Sequence, residues 1–325
     1  ELIRISSETI RDAYDETTAV FTLLDNAEKN LFQVAEGNIK KNYADMATLI
    51  KEAKDQIKKA AEKGDGVSGV PSGFTELDKL TSGWQPGDLL ILAARPGMGK
   101  TAFVLSVARN TSVQFSLPTA VFSLEMSSLQ LVTRLIVSET HLSAEKLKKG
   151  SLQSHEWEQL NSKVTQLSEA PLFIDDTPAL SIFELRAKAR RLKAQHDIKI
   201  IIIDYLQLMT AGGEGGGNRE QEISFISRSL KSIAKELGVP VIALSQLSRA
   251  VETRGGDKRP QLSDLRESGA IEQDADMVMF LYRPEYYKIN EDENGNSLLG
   301  IGEVIVAKHR NGALKNIPLR FIDTL

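Results

Sequence analysis

The sequence predicts an α/β protein: a mostly parallel central sheet, preceded by a helical region. Two observations predict this. Short apolar runs recur along the chain, at 89–93, 120–124, 172–174, 199–203, 241–244, 277–281, 303–307 and 318–321. The first five have the character of strands buried on both faces. Stretches with apolar residues at helical spacing lie between them, and alternating strand and helix gives a parallel sheet.

Taken in order, residues 1–63 read as helical. Residues 21–35 carry Leu23, Leu24, Ala27, Leu31 and Val34 at helical spacing. Residues 45–63 place Met46, Leu49, Ile50, Ala53, Ile57 and Ala60 along one stripe. Residues 64–73, rich in Gly, Ser and Pro, read as a flexible linker. The stripe must be buried either on its own domain or in a groove of a neighbouring subunit. Residues 74–325 form the α/β domain. Within it, Ser181 and Glu184 read as a capping box opening a helix that runs to about His196. Ile223, Ile226, Leu230, Ile233 and Leu237 stripe another helix, closed by Gly238 and Pro240.

Length and composition set bounds on function. A chain of 325 residues suggests two domains, or one large one with an appendage. With 41% hydrophobic and 26% charged residues it is an ordinary soluble globular composition. The net charge of −4 does not advertise nucleic-acid binding, so any such site has to be a local basic patch. The absence of cysteine excludes disulfides and thiolate metal sites and favours the cytoplasm. His141, His155, His196 and His309 are scattered and suggest no ligand cluster. No apolar run approaches the length of a membrane span and no signal peptide is present. The chain starts at Glu1 and stops abruptly at Leu325, which reads as a fragment of a longer protein.

Chemistry concentrates at the ends of the strands, where parallel sheets place their ligands. The run 89–93 leads into Arg95-Pro-Gly-Met-Gly99, followed by Lys100, Thr101 and Ala102 at a helix start. Strand, glycine-rich turn, Lys-Thr and helix make a phosphate-binding P-loop, in which successive backbone N–H groups face one phosphate. Lys100 is placed to reach the β- and γ-phosphates and the Thr101 hydroxyl to bind Mg²⁺. Ala94 stands where the motif has its first glycine. The run 120–124 is followed by Glu125, a candidate for orienting and deprotonating the attacking water, or else an acid favoured by a helix start. The run 199–203 delivers Asp204, a candidate Mg²⁺ acid of the Walker-B kind. The run 241–244 ends in Ser245 and Gln246, whose amide can sense the γ-phosphate or be merely solvated. Together these strand ends make a coherent ATP or GTP site.

Three further segments stand out, beside one helix face. Residues 210–218 are too rich in glycine to hold a fixed shape. Residues 252–260 form a basic loop with Arg254, Lys258 and Arg259, suited to phosphate-backbone contacts or to a solvated surface. Lys308-His-Arg-Asn-Gly312, after the run 303–307, is either a surface basic turn or an arginine finger acting on another subunit's nucleotide. The helix face is that of Arg186, Arg190 and Lys193, which reads as solvated.

Five segments taken together, Ala93-Ala-Arg-Pro-Gly-Met-Gly-Lys-Thr101, Phe122-Ser-Leu-Glu-Met126, Ile202-Ile-Asp-Tyr-Leu-Gln207, Ser263-Asp-Leu-Arg-Glu-Ser-Gly269 and Lys308-His-Arg-Asn-Gly312, resemble the bacterial replicative DNA helicases of the DnaB type. The resemblance covers about residues 69–321 closely, and in that family Ala-Arg-Pro is tolerated at the loop entrance. It implies a RecA-like P-loop ATPase core, a homohexameric ring, and ATP- and Mg²⁺-dependent translocation 5′ to 3′ on single-stranded DNA, with unwinding of duplex at the replication fork. It implies Lys100 and Thr101 for phosphate and Mg²⁺, and residues 95–102 (Arg95, Pro96, Gly97, Met98, Gly99, Lys100, Thr101, Ala102) as the ATP loop. Glu125 is then the catalytic base, Asp204 the metal acid and Gln246 the coupling sensor. Lys308 and Arg310 reach the adjacent subunit's ATP, and Arg266, Glu267 and Gly269 contact the DNA backbone. The 46–60 stripe docks on a neighbour. Primase and a helicase loader are implied as partners, although most of the family's N-terminal domain, which helps bind primase, is missing here. Rival readings are another RecA-like ATPase, such as a recombination or branch-migration factor, and a nucleotide-gated assembly of the clock type.

Overall fold

A computed structural model describes residues 2–14, 45–63, 66–211, 219–255 and 258–322. It divides into two compact units, 1–62 and 63–325. In the first, helix α1 spans Leu2–Ala13 and helix α2 spans Met46–Lys63. The Asp45 carboxylate starts α2 by accepting the Thr48 N–H at 2.9 Å. Met46, Leu49, Ile50 and Ile57 of the expected stripe are all exposed on it. The stretch 21–35 lies outside the described residues.

The second unit begins earlier than composition suggests. From Gly69 the supposed linker is fastened down. The Gly69 N–H donates to the Ser82 carbonyl at 2.9 Å, and Val70 pairs with Trp84. The Asp78 carboxylate accepts the Ser72 N–H and hydroxyl, both at 2.7 Å, and the Gly73 N–H at 3.0 Å. Asp78 belongs to helix α3, Thr75–Thr81, so a side chain a few residues downstream satisfies the backbone of this segment.

The sheet contains β1 Leu89–Ala94, β2 Thr119–Ser123, β3 Leu172–Asp175, β4 Ile200–Asp204, β5 Val241–Gln246, β6 Met277–Tyr282, β7 Ile301–His309 and β8 Asn316–Arg320. Their order is β3-β2-β4-β5-β1-β6-β7-β8. The pairings from β3 through β6 are parallel, and β7 and β8 are added antiparallel. Side chains alternate between two cores. Leu89, Ile91, Ile201, Ile203, Val241 and Ala243 face one, and Leu90, Leu92, Ile200, Ile202, Ile242 and Leu244 face the other. A slip of one residue would exchange the two sets, but both faces are apolar, so register rests on packing shape against the helices rather than on polarity.

Helices cover both faces. α4 Lys100–Arg109 and α5 Ser128–Thr140 pack on the second core, through Phe103, Val104, Val107, Leu131 and Leu135. α6 Ala144–Lys149 and α7 Ser154–Glu169 follow. α8 Ile182–His196 and α9 Arg219–Leu237 cover the first core, α9 through the expected Ile223, Ile226, Leu230 and Ile233. α10 Ala250–Thr253 and α11 Gly269–Asp274 are short.

Three expectations are corrected. β3 is only half-buried because it is an edge strand. The box at Ser181 is half-formed: its hydroxyl accepts the Glu184 N–H at 3.2 Å, while the Glu184 carboxylate pairs with Lys188 at 3.4 Å. β8 ends at Arg320, which places Phe321 beyond the strand.

Candidate active site

The P-loop connects β1 to α4. Ala94 is the last residue of β1, paired in register with Gln246, and it is not among the residues with positive φ. The position needs no glycine because the backbone is still extended there. The turn comes later, at Gly97 (φ +78°) and Gly99 (φ +93°), where a side chain would be strained. A Cβ on Gly99 would also lie 2.9 Å from the Phe321 ring.

Pro96, Gly97, Met98, Gly99, Lys100, Thr101 and Ala102 line a cavity of about 830 Å³, together with Glu125 and Gln246. Arg95 differs from its neighbours. Its buried guanidinium donates to the Leu247 carbonyl at 2.7 Å and pairs with Glu252 at 3.0 Å. It anchors the loop to the segment after β5 and does not line the cavity.

The Thr101 hydroxyl donates to Asp204 Oδ2 at 2.8 Å. Asp204 is 2% exposed, and its other oxygen, Oδ1, is buried with no hydrogen-bond partner among the described residues. Burial pushes the Asp204 carboxyl above its ordinary value, against the Thr101 hydrogen bond. Burial likewise draws the Lys100 ammonium down, opposed by the Asp204 and Glu125 carboxylates. A hydroxyl beside an orphaned carboxylate oxygen fits a hard divalent cation that completes its shell with water and phosphate oxygens, as Mg²⁺ does.

Glu125 is presented by a pinned turn. The Ser123 hydroxyl donates to the Met126 carbonyl at 2.7 Å and accepts the Met126 N–H at 3.1 Å, and the Leu124 N–H donates to the Asp204 carbonyl at 2.6 Å. Ser127, not Glu125, caps α5, with Gln130 closing the box. Gln207 bridges the ends of β4 and β5, donating to the Ser245 hydroxyl at 2.9 Å and accepting the Gln246 N–H at 3.3 Å.

A family model described as DnaB-like helicase C terminal domain matches residues 69–325. This chain belongs to the DnaB-like helicases. It is 44% identical to the replicative DNA helicase DnaB of Geobacillus stearothermophilus over 99% of this chain and 69% of that protein. It is 46% identical to the replicative DNA helicase DnaC of Bacillus subtilis (strain 168), with the same coverage. Its fold matches a solved ATPase domain with a TM-score of 0.77 and 42% identity, over 85% of this chain and 96% of that one. A solved DnaB-like replicative helicase, determined with its interactions with primase, matches with a TM-score of 0.75 and 38% identity, over 99% of this chain and 74% of that one. The chain is thus an ATP-hydrolysing replicative DNA helicase with a RecA-like core, and the strand ends are where this helicase's ATPase machinery is to be sought.

Other parts of the cavity wall were not legible in the sequence. Arg134 of α5 lines it and bears electrostatically on Asp204. On the β6–β8 side, the Arg283 guanidinium lies 3.5 Å over the Phe321 ring and donates to the Gly97 carbonyl at 3.4 Å. An isolated aromatic and an isolated arginine far from the P-loop in sequence carry no periodic or motif signal.

Lys308, in β7, and Arg310 stand at the other end of the sheet, beside the starts of β1 and β6. One six-residue strand, about 20 Å, separates them from their own P-loop. The basic loop is folded back on its own chain. Arg254 pairs with Asp264, Arg259 pairs with Glu303 and stacks 5.0 Å over Tyr282, and Lys258 lies 5.2 Å over Tyr287. Arg186 and Arg190 pair with Glu236 and Lys193 with Asp197, so this helix face is ion-paired. Gly269 opens α11 directly after the 3₁₀ segment Leu262–Ser268, while the side chains of Arg266 and Glu267, like residues 212–218, lie outside the described residues.

Proposed function

We propose that the chain hydrolyses MgATP in a cleft completed by a second copy, and uses that hydrolysis to move 5′ to 3′ along single-stranded DNA as a homohexamer. The observation that carries this is the Thr101–Asp204 pair with its orphaned carboxylate oxygen, beneath Lys100 and beside the cavity that Glu125 and Gln246 line. Lys100 and the loop amides hold the β- and γ-phosphates, and Thr101 and Asp204 hold Mg²⁺. Bound there, the ion neutralises charge building up on the phosphates. Glu125 takes the proton of the water that attacks the γ-phosphoryl group, ADP leaves, and Gln246 reports the change through Gln207 and β5. The adenine ring turns toward Arg283 and Phe321, where a stacked pair borders the cavity.

Lys308 and Arg310 lie too far from their own loop to serve it, which supports a role on a neighbour's phosphates. The exposed stripe of α2 supports docking on that neighbour. Arg254, Lys258, Arg259, Arg266, Glu267 and Gly269 are the DNA-backbone candidates, with Arg254 and Arg259 requiring exchange of an ion pair to serve. Primase and a loader are the proposed protein partners, and the cytoplasmic replication fork the proposed location. No helix among the described residues is long and apolar enough to cross a membrane. The test is ATP hydrolysis with and without single-stranded DNA, alongside unwinding of a 5′-tailed fork. Stimulation with unwinding supports the proposal; DNA-independent hydrolysis with no unwinding rejects it.

A further inference from the structure

Lys308 and Arg310, the two cations assigned to a neighbour's nucleotide, are held by their own chain. The Lys308 ammonium has three donors, and carbonyl oxygens of Glu272, Ala275 and Gln273 stand 2.5, 2.8 and 3.5 Å away. The Arg310 guanidinium donates to the Gln273 carbonyl at 2.5 Å and to the Asp276 carboxylate at 3.2 Å, while the Arg310 N–H donates to the Asp276 carbonyl at 2.9 Å. The carbonyls of Glu272 and Gln273 lie in the last turn of α11 and that of Ala275 just beyond it, where unpaired oxygens and the helix dipole favour a cation. The other oxygen of Asp276 accepts the Leu89 N–H at 2.8 Å and pairs with Lys231, so the carboxylate is shared between Arg310 and a half-buried lysine.

We propose that Asp276 and the carbonyl end of α11 form a dock for Lys308 and Arg310, from which a neighbouring subunit's triphosphate draws them. Asp276 is then a positioning residue that sets how readily they leave. This rests on the trans reading of the two cations. Two of the three Lys308 donors are spent at 2.5 and 2.8 Å and the third faces the Gln273 carbonyl at 3.5 Å, so full engagement of a neighbour's phosphate draws Lys308 away from these carbonyls. Release uncaps α11 immediately behind 262–268, the segment read as touching the DNA backbone. Nucleotide loading in one subunit therefore loosens the DNA segment of the next.

The direct test is amide hydrogen exchange across 269–276 in the assembled, unmodified protein, with and without a non-hydrolysable ATP analogue. Exchange at Gln273 to Ala275 rises about tenfold on loading, the loss of one charge-assisted contact at about 1.4 kcal/mol per decade. Unchanged protection in a saturated ring overturns the dock. Two variants give a sign that a purely structural role does not. Asp276→Asn weakens the hold and lowers the half-saturating analogue concentration several-fold. Lys231→Met removes the lysine that competes with Arg310 for the carboxylate and raises it. Shifts in the same direction, or none, refute the proposal. If Arg310→Ala and Lys100→Ala subunits fail to complement in mixed rings, the trans reading itself is wrong; complementation with flat exchange removes only the dock.

Discussion

Replacing Asp204 by asparagine should make the nucleotide-free protein more stable and the enzyme nearly inactive. The carboxylate is 2% exposed, receives one hydrogen bond from Thr101, and leaves its second oxygen without a partner among the described residues. Burial holds its pKa above the ordinary 3.8. An acid whose folded pKa is raised binds more protons in the native state than in the unfolded one. Its contribution to stability therefore falls as pH climbs from the unfolded value through the folded one. Asparagine keeps the Thr101 hydrogen bond through its carbonyl and abolishes the buried charge. The expected gain at neutral pH is about 1 kcal/mol, or about 2 °C in Tm, and it disappears below about pH 4. Turnover should fall at least about 100-fold, because a ligand to the charge-neutralising ion is lost. Thermal melts without nucleotide across pH, paired with steady-state ATP hydrolysis in Mg²⁺, measure both effects. A variant that is less stable yet turns over normally would refute the metal role and the reasoning from burial alike.

Glu125→Gln should lower kcat by about 100-fold or more while leaving nucleotide affinity within about threefold, since the amide keeps the shape and loses the base; equilibrium binding of a fluorescent nucleotide separates the two. Phe321→Ala should raise KM for ATP with little change in kcat, by about 1 kcal/mol of stacking, and Phe321→Tyr should restore it. An unaltered KM would remove the adenine ring from this side of the cavity. Gly99→Ala should weaken nucleotide binding, because φ is +93° and the added Cβ meets the Phe321 ring at 2.9 Å. DNA affinity should fall with salt at a slope of about −0.7 for each phosphate neutralised on a single strand. A flat response would exclude backbone tracking.

The parallel core was legible because its strands are buried on both faces, so their apolar runs are nearly unbroken, and because each delivers a polar residue where the run stops. Glu125, Asp204 and Gln246 stood out as candidates for that reason, and Lys100 because it follows the glycine-rich turn after β1. Direction of side chains was not legible. Arg95 sits inside the loop motif, yet its partners Leu247 and Glu252 lie more than a hundred and fifty residues away. Segment 69–73 has a linker's composition, and partners elsewhere in the chain, among them Asp78, Trp84, Asn110 and Thr111, make it part of the domain. Arg254 and Arg259 looked available for DNA because Asp264 and Glu303, which hold them, are not their sequence neighbours on the loop. Arg283 and Phe321 meet only because β6 and β8 bring their ends to the P-loop.

The central claim is that each nucleotide site is shared between two copies of the chain. Mixing Arg310→Ala subunits with Lys100→Ala subunits tests it most directly, with mixed rings confirmed by native mass measurement. Each parent should be inactive and the mixture should recover DNA-stimulated ATP hydrolysis, since an intact P-loop then meets an intact Arg310. Confirmed mixed rings with no recovery would contradict the shared site.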